Sequence, residues 1–129
     1  MNKLTLILPD SIRSKKNSKR IYARGKFKTV LPSKAYIAWE KAARNSVKIQ
    51  LHANFYPLTF PLHVTVAAFY KGQQPDLSGV LESVGDALEG IVWENDKQIA
   101  SWDESRLFHD LKNPHTIVVV ETFNPREQR

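Results

Sequence analysis

The sequence predicts an α+β fold: a mixed β-sheet packed by two main helices. Three observations carry this expectation. Residues 62–70 and 115–123 are strand-length runs of β-branched and aromatic residues. Tyr36, Trp39, Ala43, Val47 and Leu51 recur at helical spacing after Pro32-Ser33. Pro75-Asp76 introduces a second helical run from Leu77 to about Glu89, and Gly90 is placed to stop it.

The remaining elements are read in chain order. Residues 3–8 alternate and form a first strand. Residues 11–20 make a polar, basic loop. Ile21-Tyr22 and Phe27–Val30 flank Arg24-Gly25-Lys26 as a hairpin. The stretch from Lys97 to Phe108 reads as extended with an ambiguous middle, and the tail 124–129 as frayed. Neither repeats nor low-complexity tracts appear. A chain of 129 residues with 42% apolar residues is one domain, 1–129, with a modest core.

Composition narrows the functional classes. There is no cysteine, which excludes disulfides and thiolate zinc sites and agrees with a reducing compartment. No apolar run approaches a membrane span. The N-terminal apolar stretch is too short for a signal peptide and lacks a small-residue cleavage site, so a cytoplasmic location is expected. The four histidines lack metal-ligand spacing, and no Walker loop, dinucleotide fingerprint or serine-hydrolase elbow is present.

Charge is divided along the chain. Residues 1–49 hold 13 Lys/Arg and two acids, whereas residues 50–129 hold 6 Lys/Arg and 11 acids. A basic front half suggests a polyanionic partner, nucleic acid before membrane. The segment 74–99 opposes it with six carboxylates and one lysine. On a wheel turning ~100° per residue from Ser78, Glu82, Asp86 and Glu89 fall within about 80° of one another. Leu77, Leu81, Val84, Leu88 and Ile91 fall opposite. For Glu89 and Glu94 a solvated surface is the expectation. Asp76 stands where an N-cap belongs, the ordinary use of such a residue. Asp76, Asp86 and Asp96 admit another use, because like charges ~4 Å apart repel by ~4 kcal/mol at an effective dielectric of 20. Converging carboxylates therefore need a cation. Oxygen donors without His or Cys select Mg²⁺ or Mn²⁺, which activates water and neutralises phosphate charge in phosphodiester cleavage.

Pro75-Asp76-Leu77-Ser78-Gly79, Asp86-Ala87-Leu88 and Trp93-Glu94-Asn95-Asp96-Lys97-Gln98-Ile99 resemble the RusA family of Holliday-junction resolvases. The upstream Lys15-Lys16-Asn17-Ser18-Lys19-Arg20 resembles the basic N-terminal loop of its members. The likeness spans roughly residues 3–121. It implies a small, homodimeric, Mg²⁺-dependent endodeoxyribonuclease, often phage- or prophage-encoded, that nicks four-way junction DNA in pairs during recombination and repair. Asp76 then matches the first catalytic aspartate, Asp96 the last, and Asp86 the acid of the Asp-Ala-Leu segment. Ser78 stands where the family has a second aspartate, Gly79 where it has asparagine, and Glu82 where the best-known members have lysine. Glu82, one turn after Ser78 on the same face, is the expected replacement ligand, and a weakened site is the alternative.

DNA contacts are expected from the basic region 11–28: Lys15, Lys16, Asn17, Lys19 and Arg20, then Arg24, Lys26 and Lys28. The metal is expected within 76–96, on Asp76, Asp96, Glu82 and Asp86. Trp93 and Trp102 read as core, with wedging into the junction as the alternative. Lys97 reads as a surface ion pair or as support for developing charge. Two other functions stay open: a junction-binding relative without cleavage, and an RNA-binding module with an incidental acidic helix.

Overall fold

The computed structural model describes residues 3–14, 19–24 and 27–125. Seven strands and two helices follow in the order β1 (Leu4–Pro9), β2 (Lys19–Arg24), β3 (Phe27–Pro32), α1 (Lys34–Gln50), β4 (Leu62–Tyr70), α2 (Leu77–Leu88), β5 (Ile99–Ser101), β6 (Arg106–His109) and β7 (His115–Thr122). The expected α+β class is what the chain adopts. β1, β7 and β4 run antiparallel in that spatial order, and β5 and β6 both lie parallel to β4 along its other side. β2 and β3 form a separate antiparallel hairpin. The basic run expected to be loop through residue 20 thus enters a strand at Lys19.

The period-2 pattern decides which face is buried. Leu6, Leu8, Leu62, Val64, Val66, Ala68, Val118 and Val120 are on one face of the sheet and are fully enclosed. The register places Val118 between Leu6 and Val66, so three strands share one apolar row. Onto this face α1 lays Tyr36, Trp39, Ala43 and Val47, and α2 lays Val80, Val84, Ala87 and Leu88. Trp93 is completely buried, and its indole N–H donates to the Gly85 carbonyl at 3.1 Å. Trp93 is therefore a core residue. Leu77, expected inside, is 37% exposed because it opens the helix.

Each helix starts for a visible reason. Ser33 Oγ accepts the Tyr36 N–H at 3.0 Å and caps α1. α1 ends by clasping the sheet's outer strand: Gln50 Oε1 accepts the Ile7 N–H at 2.8 Å, and Gln50 Nε2 donates to the Ile7 carbonyl at 2.7 Å. At the C-terminal end of α2, Arg44 donates to the carbonyls of Ala87 and Glu89, at 2.8 and 3.2 Å, a cation against the negative end of the helix. Gly90 follows with φ +81°, the left-handed geometry glycine supplies. The ambiguous stretch after Lys97 resolves into a tight turn and two short strands. The two are split at residues 102–105, where Ser105 Oγ takes the Val66 N–H at 2.9 Å.

Candidate active site

α2 carries Glu82 and Asp86, with Asp76 and Glu89 at its two cap positions, so its local construction fixes the site. Asp76 occupies the N-cap position, yet its side chain makes no capping bond. The Ser78 hydroxyl donates to Asp76 Oδ2 at 2.9 Å instead. The backbone therefore leaves this carboxylate open to another use, and Ser78 orients it.

Asp96 opens a single 3-10 turn, Asp96–Gln98, built by reciprocal capping. Asn95 Oδ1 accepts the Lys97 N–H at 2.9 Å, and Gln98 Oε1 accepts the Asn95 N–H at 2.8 Å. Gln98 Nε2 then donates to the carbonyls of Leu58 and Phe60, at 2.8 and 3.2 Å, tying the turn to a neighbouring loop. The Asp96 N–H donates to Glu89 Oε1 at 2.9 Å. Glu89, expected to be merely solvated, is a positioning residue for Asp96. The Asp96 side chain rests over Gly85, where an added β-carbon would meet Asp96 Oδ2 at 3.7 Å and Trp102 at 3.9 Å.

These elements enclose an open groove of about 420 Å³ lined by Ser78, Leu81, Glu82, Gly85, Asp96, Lys97 and Trp102. Ser78 and Gly85 are seven residues apart on one helix face, ~10 Å along the axis at ~1.5 Å per residue. Glu82 lies between them, within one turn of either end. The groove thus brings Glu82 and Asp96 together, and Asp76 joins it through the Ser78 hydroxyl. Asp86 is outside the lining. Its charge acts instead on Tyr36, whose hydroxyl donates to Glu40 Oε2 at 2.7 Å. Burial, then the Glu40 contact, then the charges of Asp86 and Glu82 push the Tyr36 phenol well above its ordinary pKa. Glu40 is the one acid of this neighbourhood that lies outside the acidic segment.

Among the described residues no three Asp, Glu or His side chains approach closely enough to hold a metal by themselves. The donor chemistry still fits a hard divalent ion. Mg²⁺ needs one or two carboxylates, and keeps water and phosphate oxygens for its other positions. Glu82 with Asp96, or Glu82 with Asp76, supplies that number. The residues suit an ion completed by substrate rather than an all-protein cage.

The other expected residues are distributed as follows. Lys15, Lys16, Asn17 and Lys26 are outside the described residues. Lys19, Arg20 and Arg24 fall on β2 and Lys28 on β3. Trp102 is at the groove wall, partly buried. Lys97 faces the same groove and makes no ion pair with a described residue. Glu94, Asp103 and Glu104 are exposed, and no histidine lines the groove.

The front of the chain meets α2 at Gly79. A β-carbon there would overlap Ser14 Oγ, closer than real atoms approach, and would press on Ser14 Cβ at 3.1 Å. Ser14 is 5% exposed and is the last described residue before the basic segment 15–18. The bare backbone at 79 is what lets Ser14 sit against the first turn of the acidic helix.

Two outcomes are expected. Gly79→Ala should lower the melting temperature, because overpacking costs about 1–3 kcal/mol. In a Ser14→Gly background the same change should raise it, since alanine then contributes roughly 1 kcal/mol of helix propensity. A rise in both backgrounds would show that Ser14 simply moves aside. The second concerns Tyr36. Its raised pKa means the fold favours the neutral phenol, so its contribution is complete below about pH 10 and declines as pH rises above that. Unfolding free energies from urea titrations between pH 9 and 11 should fall by up to ~1.4 kcal/mol per pH unit more in wild type than in Tyr36→Phe. Parallel curves would contradict the burial argument.

No curated protein matches the chain. The model of the family described as Endodeoxyribonuclease RusA matches residues 11–121. That span includes Ser14, both helices, and the turn that carries Asp96. By this match the chain belongs to the RusA endodeoxyribonuclease family.

Proposed function

We propose that this protein is a Mg²⁺-dependent (or Mn²⁺-dependent), structure-selective endodeoxyribonuclease that resolves four-way DNA junctions by paired nicks in recombination and repair. The observation that carries the reading is the shared groove of Glu82 and Asp96, extended to Asp76 by the Ser78 hydroxyl. Family membership supports the same chemistry.

In this mechanism the basic front of the chain holds the DNA backbone, and the acidic groove receives the scissile phosphate. Glu82 and Asp96 would hold the divalent ion, with Asp76 adding negative charge at the other end of the groove. When bound, that ion activates the attacking water and offsets charge on the phosphate. Asp96 is kept in place by Glu89 and by the reciprocal Asn95–Gln98 cap, so little reorganisation accompanies binding. Lys97, on the groove wall, adds positive charge where the leaving oxygen develops negative charge. Glu82 takes over the ligand position that Ser78 gives up, because it stands one turn away on the same face.

A second copy of the chain would dock on the sheet face that the helices leave bare. There Ile7 is 49% and Phe108 42% exposed. His115, Phe69 and Phe108 stack in one column, with ring centroids 4.6 and 4.9 Å apart. Two copies would present two grooves to a substrate that is itself two-fold symmetric.

A second reading, binding without cleavage, is favoured by the serine at 78 and by the lack of a three-carboxylate set among the described residues. One assay separates the readings. Synthetic four-way junctions, linear duplex and RNA hairpins are offered with Mg²⁺ and with EDTA. The enzyme reading expects paired nicks in the junction only with Mg²⁺, reduced at least ~100-fold, or ~2.7 kcal/mol, by Asp96→Asn or Glu82→Gln. Wild-type rates for Glu82→Gln would remove it from the ligand set. Tight junction binding without nicks would select the second reading, and a preference for RNA would displace both. The dimer is checked by sedimentation: Ile7→Glu with Phe108→Glu should give a monomer.

A further inference from the structure

A second cavity, of about 340 Å³, adjoins the groove and contains none of its acids. Its walls are the chain leaving β1, with Ser11, Arg13 and Ser14, and the chain leaving β4, with Lys71, Gln73 and Gln74. Every one of these side chains carries a hydrogen-bond donor, two are cations, and no carboxylate lines the space. The walls are fastened together: Ser11 Oγ accepts the Lys71 N–H at 2.9 Å. Gln74 Oε1 accepts from the Tyr70 hydroxyl at 3.3 Å, which leaves its amide nitrogen as the end that can donate to a ligand. Neither Arg13 nor Lys71 forms an ion pair with a described residue. Two cations facing one space without a counter-charge repel each other, and an anion bound between them relieves that repulsion.

The position of the cavity identifies the anion. Pro75 lines this cavity and Ser78 lines the acidic groove, so only the first turn of α2 separates them. Three residues span at most ~10 Å, and successive nucleotides of a duplex strand advance ~3.4 Å. Glu82, four residues beyond Ser78, adds ~6 Å, so one DNA strand with its scissile phosphate in the groove brings a phosphate within about five nucleotides to the second cavity. Ser14, in the cavity wall, is also the residue seated on Gly79.

We propose that this cavity binds a backbone phosphodiester of the cleaved strand, within about five nucleotides of the scissile phosphate. Arg13 and Lys71 are its charged contacts, and Gln74 is a neutral one. The contact fixes the register of the strand along the acidic groove and reads no base. The inference rests on the nuclease reading for the identity of the neighbouring phosphate.

The test measures binding, so it does not depend on cleavage. Affinity for a synthetic four-way junction is followed by fluorescence anisotropy across a salt series in EDTA. The proteins are wild type, Arg13→Gln/Lys71→Gln, and a control, Lys41→Gln/Lys48→Gln, which removes the same charge from exposed positions on α1. The cavity variant should bind roughly tenfold more weakly, with a salt slope shallower by about one. The control should keep the wild-type slope. Equal losses in the two variants would mean a general field effect and would overturn the proposal. A neutral methylphosphonate is then scanned through the junction strands. At one position near the branch point it should weaken wild type and leave the cavity variant unaffected. Additive losses at every position would also overturn the proposal. Inorganic phosphate that competes equally with wild type and the cavity variant would place free phosphate elsewhere, whereas competition confined to wild type would support the site. If the scan identifies such a position while wild type fails to nick junctions with Mg²⁺, the phosphate site stands and the nuclease reading falls.

Discussion

A side chain at position 79 has no room, because Ser14 Oγ already stands where its first atom would go. This close approach joins two parts of the chain that differ most in charge. Glycine in a helix costs up to about 1 kcal/mol relative to alanine, and here that cost is tied to a contact with Ser14 that any β-carbon would disturb. Six positions later, less than two turns along the same helix, Gly85 underlies the Asp96 side chain at ordinary packing distance. One helix thus receives the basic front of the chain at its first turn and the acid-bearing turn further along. The groove between those points follows from what the helix leaves uncovered.

Electrostatics gives the arrangement its logic. A cationic front half holds a polyanion, but a carboxylate-lined groove beside it repels the same polyanion until a hard cation is present. Only three or so residues of backbone lie between the acidic groove and the cavity of Arg13 and Lys71. That separation, at most ~10 Å, is comparable to the Debye length of ~8 Å at physiological salt, so the two fields overlap in part. The opposite preferences of the two spaces therefore act on the same short piece of ligand.

Much of this was legible in the sequence, and for definite reasons. β1, β4 and β7 announce themselves by β-branched alternation, and α1 by its spacing of Tyr36, Trp39, Ala43 and Val47. The stretch after Lys97 was ambiguous because three- and four-residue strands separated by a turn carry too few residues to set a period. The acids stood out because they cluster against the charge of the rest of the chain. Their use was harder to read. Asp76 sits at a cap position without capping, and Glu89 holds a backbone N–H seven residues on, neither of which has a sequence signal. Arg44 acts on α2 from α1, and the charges of Asp86 and Glu82 on α2 reach Tyr36 on α1, both across a tertiary contact. The Asn95–Gln98 pair is different: its spacing is that of a capping box and was there to be read.

The amide of Gln50 has a consequence for how copies of this chain can meet. By taking both the N–H and the carbonyl of Ile7, it occupies the hydrogen-bonding groups that an outer strand would otherwise offer to a neighbour. On the opposite border, β5 and β6 are too short and too interrupted to template a long partner strand. Growth of one sheet into the next, the route to domain exchange and fibrils, is therefore hindered midway along β1 and offered only short strands on the other border.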